Sequence, residues 1–273
     1  MMVSNFQNII LLFFLILFGC SSSCPVESGD GRAILPDGSV YEGHFEYCKF
    51  NGLGKLSRID GTVYNGEFKD GLFDGFGKIR WPDGSLFEGH FQQGLENGQG
   101  KMLNKASGYA YHGNYNDGRM EGHGIMVLKD GDRYEGEFKN GLFHGVGNYY
   151  YRNENHYSGE FKNGKFEGNG ELSYANGTKL IATFINGSAE GSGAVHFYNG
   201  DVYAGGFRQG RPDGYGVYQY KKGDRYEGQF ERGLFNGVGK YYDAMHGEVY
   251  EGEWKDNFLI GNPPISIIPP MML

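Results

Sequence analysis

Proline is scarce, with 8 in 273 residues, which excludes a collagen-like chain. Basic residues are in deficit, 25 against 33 acidic, leaving a formal charge of −8 that argues against a nucleic-acid backbone or an anionic lipid surface as the main partner. Charge of either sign is missing from residues 1–19, where Ile9 to Gly19 is an unbroken apolar run. Eleven residues are too few for a free-standing membrane-spanning helix, which needs about 20, but they suit the apolar segment of an export signal. What the chain has in excess is glycine, 49 residues, together with 21 Tyr, 21 Phe and 2 Trp. So many glycines are foreign to an ordinary globular core, and so many rings are foreign to a disordered chain. A glycine-punctuated β protein remains.

Self-comparison finds the pattern Tyr-x-Gly-x-Phe beginning at Tyr41, Tyr64, Phe87, Tyr111, Tyr134, Tyr157, Leu180, Tyr203, Tyr226 and Tyr250, at spacings of 23 or 24 residues. Each unit continues through a Gly-x-Gly pair such as Gly75-Phe76-Gly77, and several close on Asp60-Gly61, Asp83-Gly84 or Asn199-Gly200, read as tight turns because both residue types tolerate positive φ. Within a unit Tyr64, Gly66 and Phe68 share one face while Asn65 and Glu67 take the other, the parity of a strand. Each unit is therefore expected to be a hairpin, with Tyr stacked on Tyr and Phe on Phe, and with Leu72-Phe73, Leu142-Phe143 and Leu234-Phe235 folding over the ladder from longer loops. A glycine within the strand leaves bare backbone for the neighbouring ring. The unit at Leu180 has Ala182 where glycine is usual and Ser188-Ala189 where others have Leu-Phe, predicting looser packing or altered twist there.

The run Tyr134 to Gly147 resembles the MORN repeat, and the resemblance covers nearly all of residues 29–261. It implies an all-β fold, an elongated single antiparallel sheet of stacked β-hairpins. At about 4.8 Å per strand, ten units would extend on the order of 95 Å. The chain divides into a signal segment (1–19), an anchor linker (20–28), the array of a half unit plus ten units (29–261), and a tail or cap (262–273), in which Ile265 to Ile268 between two Pro-Pro pairs would finish the sheet edge. Leu17-Phe18-Gly19-Cys20 resembles the lipobox of bacterial lipoproteins, implying lipidation at Cys20 and a place in the bacterial cell envelope, outer-membrane sorting being compatible with Ser21.

Reactive patterns are weak. Gly159 to Lys165 matches the start of a phosphate loop, but Phe166 replaces the required Ser or Thr. Histidines show no metal-ligand spacing, and Asp130-Gly131-Asp132 lacks the frame of a calcium loop. Asn176 and Asn186 match a glycosylation pattern but are explained by turn chemistry. The carboxylates Glu42, Glu88, Glu135, Glu227 and Glu251, with Glu67, Glu137, Glu160 and Glu253, fall on the polar face, where charge keeps a long sheet soluble. Tyr150, Tyr198 and Tyr242 share that parity as exposed rings able to stack on sugar or grip a peptide. No catalytic, metal or cofactor site is expected. The leading reading is a non-enzymatic, membrane-anchored scaffold that binds protein partners, in keeping with the assembly role of MORN arrays. The alternative is glycan or peptidoglycan binding, and a hydrolase using the glutamate row comes last.

Cys48 occupies the position held by Gly71, Gly94, Gly118 and Gly141 in later units, and one period earlier falls Pro25, beside Cys24. A Cys24–Cys48 disulfide would tie the half unit to the first full one, contributing roughly 3 kcal/mol through loop entropy. Non-reducing peptide mapping of protein exported by its own host is expected to recover the two cysteines in one linked peptide. Free thiols at both positions, or bonding between chains, would refute the pairing.

Overall fold

A computed structural model describes residues 26–261 and the backbone of 265–266. The chain forms two units, the first taking residues up to 131 with Glu135–Leu142, the second taking Asp132–Tyr134 with everything from Phe143 onward. Both are all-β. In the first, the strands Ser28–Ile34, Val40–Glu46, Lys49–Ser57, Val63–Lys69 and Leu72–Arg80 pair antiparallel in succession, and the pattern continues to Arg119–Val127. The second runs in the same way from its Leu142–Tyr150 strand to Phe258–Leu259. Ile265–Ser266 then adds a last short strand through Phe258↔Ser266 and Leu259↔Ile265. Pro263, Pro264, Pro269 and Pro270 lie outside the described residues.

The two turns of each repeat exchange the roles read from sequence. The two-residue hairpin turn is Asp70-Gly71, with φ of 51° and 87°, and its counterpart in the second unit is Arg232-Gly233, at 51° and 87°. Positive φ at both positions matches the right-handed twist of the flanking strands. Asp60-Gly61 instead belongs to a five-residue turn in which Arg58 N–H donates to the Thr62 carbonyl at 2.8 Å. There Gly61 alone of the pair has positive φ, 88°, while the Asp60 carboxylate accepts from Thr62 N–H at 2.8 Å. Asp-Gly was thus informative for a different reason: the aspartate serves as a side-chain acceptor. Because the tight turn comes early, Leu72-Phe73 and Leu234-Phe235 open strands and are not in loops.

The core is built from one contact repeated. The Tyr64 ring stacks on Phe73 of its own hairpin at 3.8 Å and 10°, and meets Phe68 and Phe91 edge-on at 5.0 and 5.4 Å. In the second unit Tyr226 stacks on Phe235 at 3.7 Å, with Phe230 and Trp254 edge-on. Like residues therefore do not stack on like, as the sequence led us to expect: an intervening strand separates equivalent tyrosines, and the sandwich is Tyr on Phe. Bare backbone makes room for it. A Cβ at Gly77 would lie 2.3 Å from the Tyr64 hydroxyl, and one at Gly66 2.5 Å from Gly77 Cα. The hydroxyl then donates to the Glu67 carbonyl at 2.8 Å, so the buried ring leaves no polar atom unmet. Each such ring pair contributes about 0.5–1.5 kcal/mol beyond its buried area.

The first glycine of each Gly-x-Gly pair has a separate task. Register slips between Gly66 and Phe68, where the facing strand carries a bulge containing Gly75 at φ 103°. Glu67 reaches across and accepts from the freed Phe76 N–H at 2.9 Å. In the second unit Gln229 does the same for Val238 N–H at 3.0 Å.

Burial raises the hydroxyl pKa of the ladder tyrosines, to about 12 for Tyr41 and further for Tyr64, Tyr157 and Tyr226. Their folded values exceed the unfolded value of about 10, so the unfolded chain loses protons first. Stability from these groups is complete below about pH 10 and falls as pH rises past it toward the folded values. Tyrosinate absorbance and loss of β circular dichroism are expected to appear together in one cooperative alkaline transition. A gradual tyrosinate titration with the sheet intact would contradict this burial.

Candidate functional site

The face opposite the ladder is laced with charge at most repeats. In the first unit Arg32 pairs with Glu42 at 3.3 Å and Lys78 with Glu88 at 3.1 Å; in the second Lys240 pairs with Glu251 at 3.0 Å. Each pair sits directly across a strand boundary and is solvent-exposed, so its weight is in solubility and register more than stability. The glutamate row thus has structural partners: Glu42, Glu88 and Glu251 in ion pairs, Glu67 and Glu160 on bulge N–H groups.

Within the second unit the lacing is interrupted, between Glu171 and Glu227. Following one row across the strands gives Glu171, Ile181, Ala194, Ala204, Val217 and Glu227, each directly opposite the next. Four uncharged positions in succession lie between two carboxylates. Beside them Asn169 faces Thr183, Ser192 faces Gly206 and Tyr215 faces Gln229, again without charge. Ile181 is 46% exposed and Tyr215 61% exposed, the latter donating its hydroxyl to Glu227 at 2.6 Å. A shallow depression of about 570 Å³ lies over Asn169, Ile181, Thr183, Ser192 and Ala194. Looser packing or altered twist was expected at this repeat; as to packing, Leu180, Phe184, Ala189 and Val195 are all buried. Small residues close up the core side, and the departure registers on the opposite face. The signal was present in the sequence as missing carboxylates at 181, 183, 204 and 206.

The three tyrosines singled out from sequence lie in this unit but on separate repeats. Tyr150 is 37% exposed and sandwiched, parallel to His156 at 5.2 Å with the Arg133 guanidinium 5.2 Å from its centroid. Tyr242 lies under Arg225 at 5.5 Å. Tyr198, in a five-residue turn, is 72% exposed, and its backbone N–H donates to Thr178 Oγ1 at 3.2 Å. The phosphate-loop look-alike is a strand, His156–Lys162, running into the two-residue turn Asn163-Gly164. Asn176 accepts from Thr178 N–H at 2.9 Å and Asn186 has φ of 52°, both turn roles. Among the described residues no three His, Cys, Asp or Glu side chains are grouped to hold a metal ion.

Cys20 and Cys24 lie outside the described residues. Cys48 is disulfide-bonded, has φ of 63°, and donates its N–H to the Glu27 carbonyl at 2.9 Å. Gly71 and Gly94 make the same bond to the preceding repeat, so Cys48 does take the glycine position of the turn.

The MORN-repeat family profile matches residues 41–63, 64–86, 87–104, 111–133, 134–156, 157–179, 203–225, 226–248 and 250–259, passing over the unit that begins at Leu180. No curated protein matches significantly. Among solved structures, the TCP10 domain of Danio rerio CPAP in complex with a STIL peptide is 11% identical, with a TM-score of 0.43 over 83% of this chain and 100% of that one. The Drosophila melanogaster SAS-4 TCP domain in complex with a proline-rich motif of Ana2 is 13% identical, at 0.34 over 74% and 90%. Virginiamycin B lyase of Staphylococcus aureus is 8% identical, at 0.15 over 84% and 85%. Likenesses of this size carry no inference to this chain.

If the fourth-position carboxylates serve as acceptors for bulge N–H groups, charge is dispensable there and the oxygen is not. Glu67→Gln is expected to leave stability within about 0.5 kcal/mol, as native Gln229 implies, whereas Glu67→Ala should cost about 1 kcal/mol. Denaturant titration of both variants checks this, and equal loss in both would favour a need for the charge itself.

Proposed function

The chain belongs to the MORN-repeat family, and from that premise we propose that it is a non-enzymatic scaffold that binds protein partners through its sheet and is tethered by lipid at Cys20 in a bacterial cell envelope. The observation that carries the binding role is the uncharged row Ile181, Ala194, Ala204 and Val217 between Glu171 and Glu227. An apolar window suits a protein segment with an apolar centre, and the glutamates that border it are already paired, Glu171 with Lys179 at 2.9 Å and Glu227 with Arg225. Burying such a row on a partner supplies hydrophobic free energy, while the paired charges form a polar rim around it. Glycan binding remains the second reading. Tyr198 is its strongest carrier, because the ring faces of Tyr150 and Tyr242 are already engaged by Arg133, His156 and Arg225.

A photo-crosslinking residue placed at Ala194 in the native host is expected to capture one stoichiometric protein, and the same residue at Lys78 is not. Adding Ile181→Glu should abolish the adduct while leaving the melting temperature unchanged. Adducts that are equal at both sites, or that persist in the Glu variant, would defeat the proposal. Retention on cell-wall sacculi that is lost in Tyr198→Ala would favour glycan. Mass spectrometry of the same material tests the anchor, which requires a mature chain beginning at an acylated Cys20.

A further inference from the structure

Among the described residues the first and last long strands each have an open side. Ser28–Ile34 pairs only with Val40–Glu46. Glu248–Lys255 pairs along its length with Leu234–Asp243, but on its outer side only at Trp254↔Leu259 and Lys255↔Phe258. The Glu253 carbonyl turns outward to accept from Ile260 N–H at 2.8 Å, and because amides alternate sides along an antiparallel strand, Glu251 and Val249 turn theirs outward as well. The chain's own continuation is unsuited to meet them. Pro263 and Pro264 take the sequence positions that Gly239 and Lys240 hold one repeat earlier, and proline has no N–H to give a ladder.

The core registers the missing neighbour at both ends. Every other residue heading such a strand is buried, from Tyr41 to Tyr226, but Tyr250 is half-buried. A Cβ at Gly66 or Gly228 would meet its own repeat's tyrosine hydroxyl at 2.5 or 2.7 Å, whereas one at Gly252 would meet only Leu259 Cδ1, at 3.0 Å. The Tyr250 hydroxyl donates to the Glu248 carboxylate, where Tyr226 donates to the Gln229 carbonyl at 3.0 Å. Tyr250 therefore lies off its seat, because the second glycine of the seat belongs to a facing strand. Gly31 is such a second glycine, paired with Gly43. Its Cβ space is taken by Val26, whose Cγ2 would be 2.4 Å away, where Gly54 and Gly77 hold the rings of Tyr41 and Tyr64. One end has a ring without its second glycine, and the other has that glycine without its ring.

We propose that the two ends fit each other between copies of the chain: Val249 to Gly252 of one copy adds to Gly31 to Ile34 of a second, in the register that Val63 to Gly66 keeps with Gly77 to Arg80. Glycine then faces glycine, Glu251 faces Arg32, and the Tyr250 ring takes the place of Val26 over Gly31. Charge selects this pairing. Lys240 already meets Glu251 at 3.0 Å and Arg32 meets Glu42 at 3.3 Å, so the junction continues an alternation of opposite signs across four strands. Two Glu248–Lys255 strands laid together would instead set Glu251 and Glu253 against their like. The contact is head-to-tail and can repeat from copy to copy. Because Leu259 and Phe258 hold the rest of the edge, only four residues face four, and assembly depends on local concentration. This surface is at the sheet ends and goes beyond the uncharged window.

The test places a photo-crosslinking residue at Ile34, which is 66% exposed, in the purified full chain, with isotopically light and heavy copies mixed. Adducts of twice the chain mass are expected, including light-heavy pairs, with the captured peptide containing Val249 or Tyr250. Glu251→Pro removes an outward N–H while leaving the bonds to Leu234–Asp243 in place, and should cut the adduct at least tenfold. Glu251→Arg should do the same, and adding Arg32→Glu to that chain should restore the adduct to within twofold, which a merely unfolded end would not allow. No adduct, capture within one chain or at another segment, or an adduct undiminished by both Glu251 variants would overturn the proposal.

Discussion

A tyrosine ring lying flat across two glycines is the contact on which the rest of the structure depends. Among the described residues no second sheet or helix covers the first, so the strands must supply their own core from side chains on one face. A ring at Tyr64 reaches zero or near-zero exposure because Gly66 and Gly77 let it settle against backbone and Phe73 closes over it. The glycine cost in chain entropy is offset by ring burial at almost every repeat, which is why both residue types are so abundant. Where the ring itself is absent, at Leu180, Ala182 is accepted in place of the first glycine, whereas the Phe87 ring keeps both Gly89 and Gly100.

The rims of the sheet show the same economy in hydrogen bonds. Along the tight-turn rim Asp74 accepts from Gln93 N–H at 3.1 Å and, in the second unit, Glu190 accepts from Gln209 N–H at 2.9 Å. Along the other rim Ser85 accepts from Lys105 N–H at 2.9 Å and Asp201 from Lys221 N–H at 2.8 Å. Turn amides that a hairpin alone would leave to water are thereby met by the neighbouring repeat. Asp224 illustrates the strength of such a site: burial pushes its carboxyl up, but bonds from Lys222, Tyr241 and Ala244 outweigh that and hold it below the ordinary value.

Much of this was legible in the chain, because period and parity are one-dimensional signals. The strands, the buried Tyr and Phe, and the exposed Glu and Lys follow directly from a 23-residue repeat read with period 2. Which of two turns is the tight one was not legible, since Asp-Gly and Asn-Gly serve both and only backbone φ separates them. The offset between strands was invisible too: stacking Tyr on Phe depends on a bulge around Gly75 that displaces register by two residues, and composition does not announce a bulge. The uncharged window was in plain sight but was misread as packing, because the eye follows residues that recur and passes over charges that fail to.

Phe91 has one more consequence. It meets Phe87 of its own strand and also Tyr64 of the repeat before, so each aromatic cage is completed by a ring from next door. A hairpin of this kind has no finished interior of its own, and removing part of one strips a wall from its neighbour. Removing or duplicating a whole period joins one complete wall to another and leaves every cage intact. Such a chain is tolerant of change in multiples of its period, and where a spacing is 24 residues, as from Phe87 to Tyr111, the extra residue falls at the wider turn, so single-residue insertions within a strand should be the rarest of its variants.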